Sequence, residues 1–145
     1  MAWVFLEGTK RREDAVKASE VMQRPVLATT PRASVRDIAT QIVVNEISGM
    51  PVTEKSGEIV GVITEADILG ALIDGKKLEN LTAQDIMSTD PITIDMETPI
   101  EKVMKMLEEN GVLRLPVTSS GKVVGIISRR DIIKSVLEPE FMTFG

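Results

Sequence analysis

Apolar positions recur at helical spacing in two places. Val35, Ile38, Ala39 and Ile42 fall at i, i+3, i+4 and i+7, and Ile100, Val103, Met104 and Leu107 do the same. Each set predicts an amphipathic helix. Two short apolar runs, Ile59-Val60-Gly61-Val62-Ile63 and Val123-Val124-Gly125-Ile126-Ile127, each follow a Ser-Gly turn, at Ser56-Gly57 and Ser120-Gly121. These are hairpin signals, with an earlier strand around Met50-Pro51-Val52. Extended pieces are expected after Pro25 and Pro91, and final helices from near Glu65 and near Arg129. The second amphipathic helix is expected to start with Thr98 as cap, Pro99 at its first position and Glu101 closing a capping box, with Ser34 and Asp37 in those roles in the first.

The two sets are copies. Met22 matches Met87 at an offset of 65 residues, and Ala18/Ala83, Val35/Ile100, Ile42/Leu107, Asn45/Asn110 and Pro51/Pro116 keep that offset. One residue is then lost, so Gly57 matches Gly121 and GVITEAD lies over GIISRRD at an offset of 64. The repeated unit reads β-α-β-β-α. A unit that short is marginal alone, so two are expected to share an aliphatic core in a pseudo-two-fold arrangement. The expected organisation is an N-terminal extension over 1–16 with Trp3 and Phe5 as apolar anchors, one repeat over 17–73, a linker over 74–80, a second repeat over 81–137 and a C-terminal tail over 138–145. The class is mixed α/β.

Composition narrows the chemistry. The chain has 145 residues, 43% hydrophobic but only 3% aromatic, so its core must be aliphatic. It has neither Cys nor His. That removes disulfides, thiolate metal sites, cysteine nucleophiles and the commonest general base. Lys and Arg number 17 against 22 Asp and Glu, a net charge of −5, and the basic run Lys10-Arg11-Arg12 meets Glu13-Asp14 at once. Nucleic-acid binding through a basic patch is not expected. No apolar run approaches the ~20 residues of a membrane span, and the N-terminus lacks a signal peptide's basic start, so a cytoplasmic protein is expected. The methionines Met22, Met50, Met87, Met96, Met104 and Met106 read as packing residues, not as a metal set.

Chemistry concentrates where each second hairpin strand enters a helix, at Thr64-Glu65-Ala66-Asp67 and Ser128-Arg129-Arg130-Asp131. A hydroxyl followed three residues later by a carboxylate is a capping box, and other such boxes stand at Thr82/Asp85 and Thr98/Glu101. A helix N-terminus also attracts phosphate, and a carboxylate one turn in can accept both hydroxyls of a ribose. Gly61 and Gly125, three residues earlier, would let a ligand or another strand approach the backbone.

Two β-α-β-β-α copies ending in G-h-h-[ST]-x-x-D resemble a tandem pair of CBS domains, a Bateman module, over residues 17–137. The resemblance implies a non-catalytic regulatory module with two clefts between the repeats, binding AMP, ADP, ATP or S-adenosylmethionine as a regulatory ligand and needing no cofactor or metal. It implies one cleft from Thr64 and Asp67 with Ile92, Val112, Leu113, Arg114 and Pro116. The other would take Ser128 and Asp131 with Val26, Leu27, Ile47, Ser48 and Pro51. Each Asp would hold ribose, each hydroxyl residue would meet phosphate, and the aliphatic side chains would sandwich the base. Arg129 and Arg130 flank the second motif where Glu65 stands in the first, so polyphosphate is expected to favour the Asp131 cleft. Output would run through a homodimer or a separate protein target. The alternatives are an oligomerisation scaffold whose motifs only cap helices, and a small enzyme relying on Asp, Glu or Lys.

Overall fold

A computed structural model describes the chain over residues 16–144, with side chains through residue 137. The extension's anchors Trp3 and Phe5 and the Lys10-Arg11-Arg12 run lie outside the described residues. The elements are α1 (Ala18–Val21), α2 (Val35–Val44), β1 (Gly49–Thr53), β2 (Ile59–Thr64) and α3 (Glu65–Ile73), then a 3-10 turn (Leu78–Asn80) and α4 (Ala83–Ile86), and finally β3 (Ile94–Asp95), α5 (Ile100–Asn110), β4 (Arg114–Ser119), β5 (Lys122–Ser128) and α6 (Arg129–Phe144). The mixed α/β class follows directly. Helix α6 continues through most of the segment expected as a tail. The segment expected as a linker carries the 3-10 turn, whose Leu78 packs on an aliphatic core.

The chain folds into two compact units. One combines the segment ending at Pro25 with Thr93–Ser119 and the segment from Val124 onward. Its sheet runs β3-β4-β5. Strand β3 lies parallel to β4, with Ile94 opposite Val117. Ala18, Met22, Ile94, Ile100, Val103, Leu107, Leu115, Val117, Ile127 and Ile132 form its buried core. Met96, Met104 and Met106 pack against it.

The other unit takes Val26–Ile92 and Ser120–Val123. Here β1 and β2 pair antiparallel, with Met50 opposite Ile63 and a shift of register between Val52 and Thr53. Its core is Val35, Ile38, Ile42, Met50, Val52, Ile63, Ile68 and Ala83, with Met87 packed beside it. Both amphipathic helices therefore bury the positions their spacing selects, while Ala39 and Met104 sit at the margin.

The short helices are exchanged. Ala18 of α1 belongs to the core built around α5, and Ala83 of α4 to the core built around α2. A compact unit in space is thus not one copy in sequence. Paired backbone bonds anchor the exchange at the 65-residue offset. The Ala18 N–H donates to Thr98 O (2.8 Å) and the Ala83 N–H to Ala33 O (2.9 Å), while Ile100 N–H donates to Val16 O and Val35 N–H to Leu81 O, both at 2.9 Å. The parallel bridge of Thr29 with Val52 likewise repeats that of Ile94 with Val117. The extended piece after Pro25 is reduced to that single bridge, because the chain is strand only where a neighbour lies alongside.

These bridges also revise the expected caps. Pro99, not Thr98, is the N-cap position of α5, and it makes no side-chain cap bond. Thr98 is engaged by its carbonyl with Ala18, and the first helical N–H already has Val16 as acceptor, so a tertiary bridge does the work of the cap. In α2, Ser34 Oγ accepts from the Arg36 N–H at 3.2 Å, a single bond in place of a reciprocal box.

Candidate functional site

Each junction motif is a well-formed helix start. In the Val26–Ile92 unit, the Thr64 N–H donates to Asp67 Oδ2 (2.9 Å), the Thr64 hydroxyl donates to the same oxygen (3.1 Å), and Thr64 Oγ1 accepts from the Asp67 N–H (3.4 Å). Asp67 Oδ1 accepts no hydrogen bond among the described residues. In the other unit, the Ser128 N–H donates to Asp131 Oδ2 (2.9 Å) and Ser128 Oγ accepts from the Asp131 N–H (3.1 Å). Here the second oxygen is occupied as well. Gln23 Nε2 donates to Asp131 Oδ1 at 2.6 Å. Asp131 is buried, with 8% of its surface exposed. Asp67 is half-buried.

The cap fixes each carboxylate in one orientation at the positive end of a helix. An oxygen left over in that geometry is an acceptor held in place for an external donor. Asp67 offers one free of donors from the described residues, whereas the matching oxygen of Asp131 already accepts a bond from Gln23. The arginine count favours the second motif for phosphate, whereas the hydrogen bonds favour the first for a hydroxyl donor.

The glycines serve packing. A Cβ on Gly61 would lie 2.7 Å from both Ser88 O and the Met87 sulfur, and a Cβ on Gly125 would lie 2.8 Å from Met22 Cγ and 3.1 Å from Gln23 O. Of the two approaches expected there, a neighbouring chain segment is the one realised. Gln23 and Ile126 exchange N–H···O bonds of 2.8 and 3.1 Å, and Ser88 and Val62 exchange theirs at 2.9 and 3.0 Å.

The expected lining residues are divided between the units. Ser48 lies beside the Thr64 motif, its carbonyl accepting from the Glu65 N–H at 2.9 Å. Leu113 lies beside the Ser128 motif, its carbonyl accepting from the Arg129 N–H at 3.1 Å. Arg129, Arg130, Ile92, Leu27 and Leu113 are exposed, and Val26, Ile47, Val112 and Arg114 half-buried. Pro51 and Pro116 are buried in β1 and β4. Arg114 Nε is buried without a hydrogen-bond partner among the described residues. The residue that local spacing did not reveal is Gln23, which reaches Asp131 from 108 positions away.

The described residues hold no cluster of three or more acidic groups arranged to grip a metal ion. No helix among them is long and apolar enough to cross a membrane.

The CBS domain family model matches residues 18–74 and 83–138. The chain belongs to the CBS domain family. Among curated relatives of this CBS protein, an uncharacterised protein of Methanopyrus kandleri is 29% identical over 122 residues, 83% of this chain and 62% of that one. Inosine-5′-monophosphate dehydrogenase of Methanocaldococcus jannaschii is 29% identical over 127 residues, 86% of this chain but 24% of the enzyme. The chain thus spans less than two thirds of the length of these relatives. Among solved structures, the CBS domain pair of protein MJ0100 in complex with 5′-methylthioadenosine and S-adenosyl-L-methionine is similar at a TM-score of 0.76 and 25% identity, covering 86% of this chain and 98% of that one. The protein CBSX2 in complex with AMP gives the same identity, TM-score and coverage.

Proposed function

We propose that this CBS protein is a non-catalytic sensor of adenosine compounds, with AMP, ATP or S-adenosylmethionine as ligand classes and ribose held at the strand-to-helix junctions. The observation that carries the reading is the Asp67 carboxylate. One oxygen is anchored by the helix cap, and the other has no hydrogen-bond partner among the described residues. A ribose hydroxyl is a donor suited to that position. The two similar CBS pairs in complex with adenosine compounds support the ligand class. Thr64 and Ser128 would meet phosphate, as would Arg129 and Arg130 at the second junction.

Output runs through self-association in this reading. Leu69, Leu72 and Ile73 on α3 are exposed, as are Ile133, Val136 and Leu137 on α6. The two stripes match at the 64-residue offset and suit a second copy of the chain. Light scattering with and without nucleotide tests this, and a monomer under both conditions refutes it.

A second reading has its own support. Both motifs complete capping boxes or their equivalent from the chain's own groups, as a scaffold would require. A thermal-shift screen with AMP, ATP and S-adenosylmethionine separates the two. A ligand at 100 times its dissociation constant adds about 2.7 kcal/mol. A shift with at least one of them supports the sensor, and no shift with any leaves the scaffold.

A further inference from the structure

The copies diverge at one position that touches a motif carboxylate. Gln23 and Ser88 are repeat mates. Each sits in the two-bond antiparallel bridge that brings the segment after its short helix against the strand leading into the motif, Gln23 at Ile126 and Ser88 at Val62. From that shared backbone position, the Gln23 carboxamide reaches Asp131 Oδ1 at 2.6 Å. Ser88 has a side chain several bonds shorter, and Asp67 Oδ1 receives nothing from the described residues. The contact is charge-assisted and part-buried, with Asp131 buried and Gln23 exposed. The amide N–H of Gln23 takes the acceptor oxygen that the O–H of a sugar would otherwise take.

Building on the nucleotide-binding reading of these junctions, we propose that Gln23 is an internal competitor for ribose, occupying Asp131 and biasing the protein to fill the Asp67 site first. A ribose hydroxyl arriving at Asp131 competes with the carboxamide for Oδ1, which already spends one of its two acceptor sites on it. At Asp67 it displaces no protein group. Gln23 is thus a specificity-determining residue that makes two duplicated sites unequal, and its effect is opposite in sign to that of Arg129 and Arg130.

Calorimetric titration with AMP of the wild type, Gln23→Ser, Ser88→Gln, Asp67→Asn and Asp131→Asn tests the proposal. Gln23→Ser imports the residue of the other copy and is expected to tighten the Asp131 site by about tenfold, the scale of one hydrogen bond to a charged group. Ser88→Gln is expected to weaken the Asp67 site by a similar factor. Unchanged or weaker binding in Gln23→Ser, with Asp131→Asn still abolishing one site, overturns the competitor role and leaves the nucleotide reading standing. AMP binding that ignores both Asp67→Asn and Asp131→Asn overturns the nucleotide reading itself. Should Gln23→Ser fail to fold by circular dichroism, the side-chain amide signals of Gln23 in the wild type decide the matter. They are expected to move toward free-amide positions as AMP saturates the Asp131 site, and signals unmoved at saturation refute displacement.

Discussion

The strand-to-helix junctions at Asp67 and Asp131 are the same object built twice, and their differences are more informative than their likeness. Both close a helix start through a hydroxyl residue and a carboxylate three positions on. Both follow a glycine that admits a methionine and a carbonyl from an earlier segment. Yet one carboxylate keeps an oxygen without a partner and the other spends both on the protein. The frame is common to both copies, and Gln23, where the other copy has Ser88, accounts for the difference in what the two carboxylates present.

The sharpest way to break the shared frame is to fill its glycines. Gly61→Ala drives a Cβ to 2.7 Å from the Ser88 carbonyl, which is backbone in a two-bond bridge and has little room to yield. A loss of about 3 kcal/mol is expected. Gly125→Ala meets the Gln23 carbonyl at 3.1 Å and otherwise mainly a methionine side chain, which adapts. A loss of about 2 kcal/mol is expected there. Urea unfolding measures both, and equal or negligible losses would deny that the backbone approach is the tighter constraint.

A smaller difference lies at the ends of the two amphipathic helices. Gly111 closes α5 with φ 59°, while its mate Glu46 adopts φ 54° with a full side chain. A left-handed residue with a Cβ is strained, and glycine removes the strain. Glu46→Gly is expected to stabilise the protein by about 0.5 kcal/mol, and Gly111→Glu to destabilise it by about 1 kcal/mol. Thermal unfolding that moves both variants in the same direction would contradict this.

The least effect belongs to α4. Asp85 has its pKa lowered, first by the hydrogen bond from the Thr82 backbone N–H and then by that from the Thr82 hydroxyl. A carboxyl more acidic in the folded state than in the unfolded chain contributes stability that is fully present above its unfolded value, about 3.9, and is lost as pH falls through the lower folded value. The melting-temperature gap between wild type and Asp85→Ala should therefore close in acid. A gap that widens below pH 4 would have the wrong sign.

Much of this is legible in the sequence. The offset of 65 residues, slipping to 64 after the turn, recurs in the hydrogen bonds: Asn45 caps back to Gln41 O and Asn110 to Met106 O, both at 2.8 Å. Local periodicity found the buried faces of α2 and α5, and local spacing found the caps at Thr64 and Ser128, because both signals lie within one turn of chain. What local spacing missed was long-range. Thr98 carries every mark of a cap, but the bridge to Ala18 and Val16 satisfies that helix start from across the unit. Gly61 and Gly125 were open to two readings, a ligand or a strand, and only the paired segments decide between them. Gln23 shares no motif with Asp131, so their contact is a product of topology alone.

The most direct test of the central claim is AMP affinity, measured by calorimetry, in Asp67→Asn and Asp131→Asn. Asparagine keeps an oxygen that can accept the cap bond, so folding is retained while the charge is lost. Each variant is expected to lose one site by at least about tenfold, with the tighter site lost in Asp67→Asn. Wild-type affinity and stoichiometry in both variants would contradict the account.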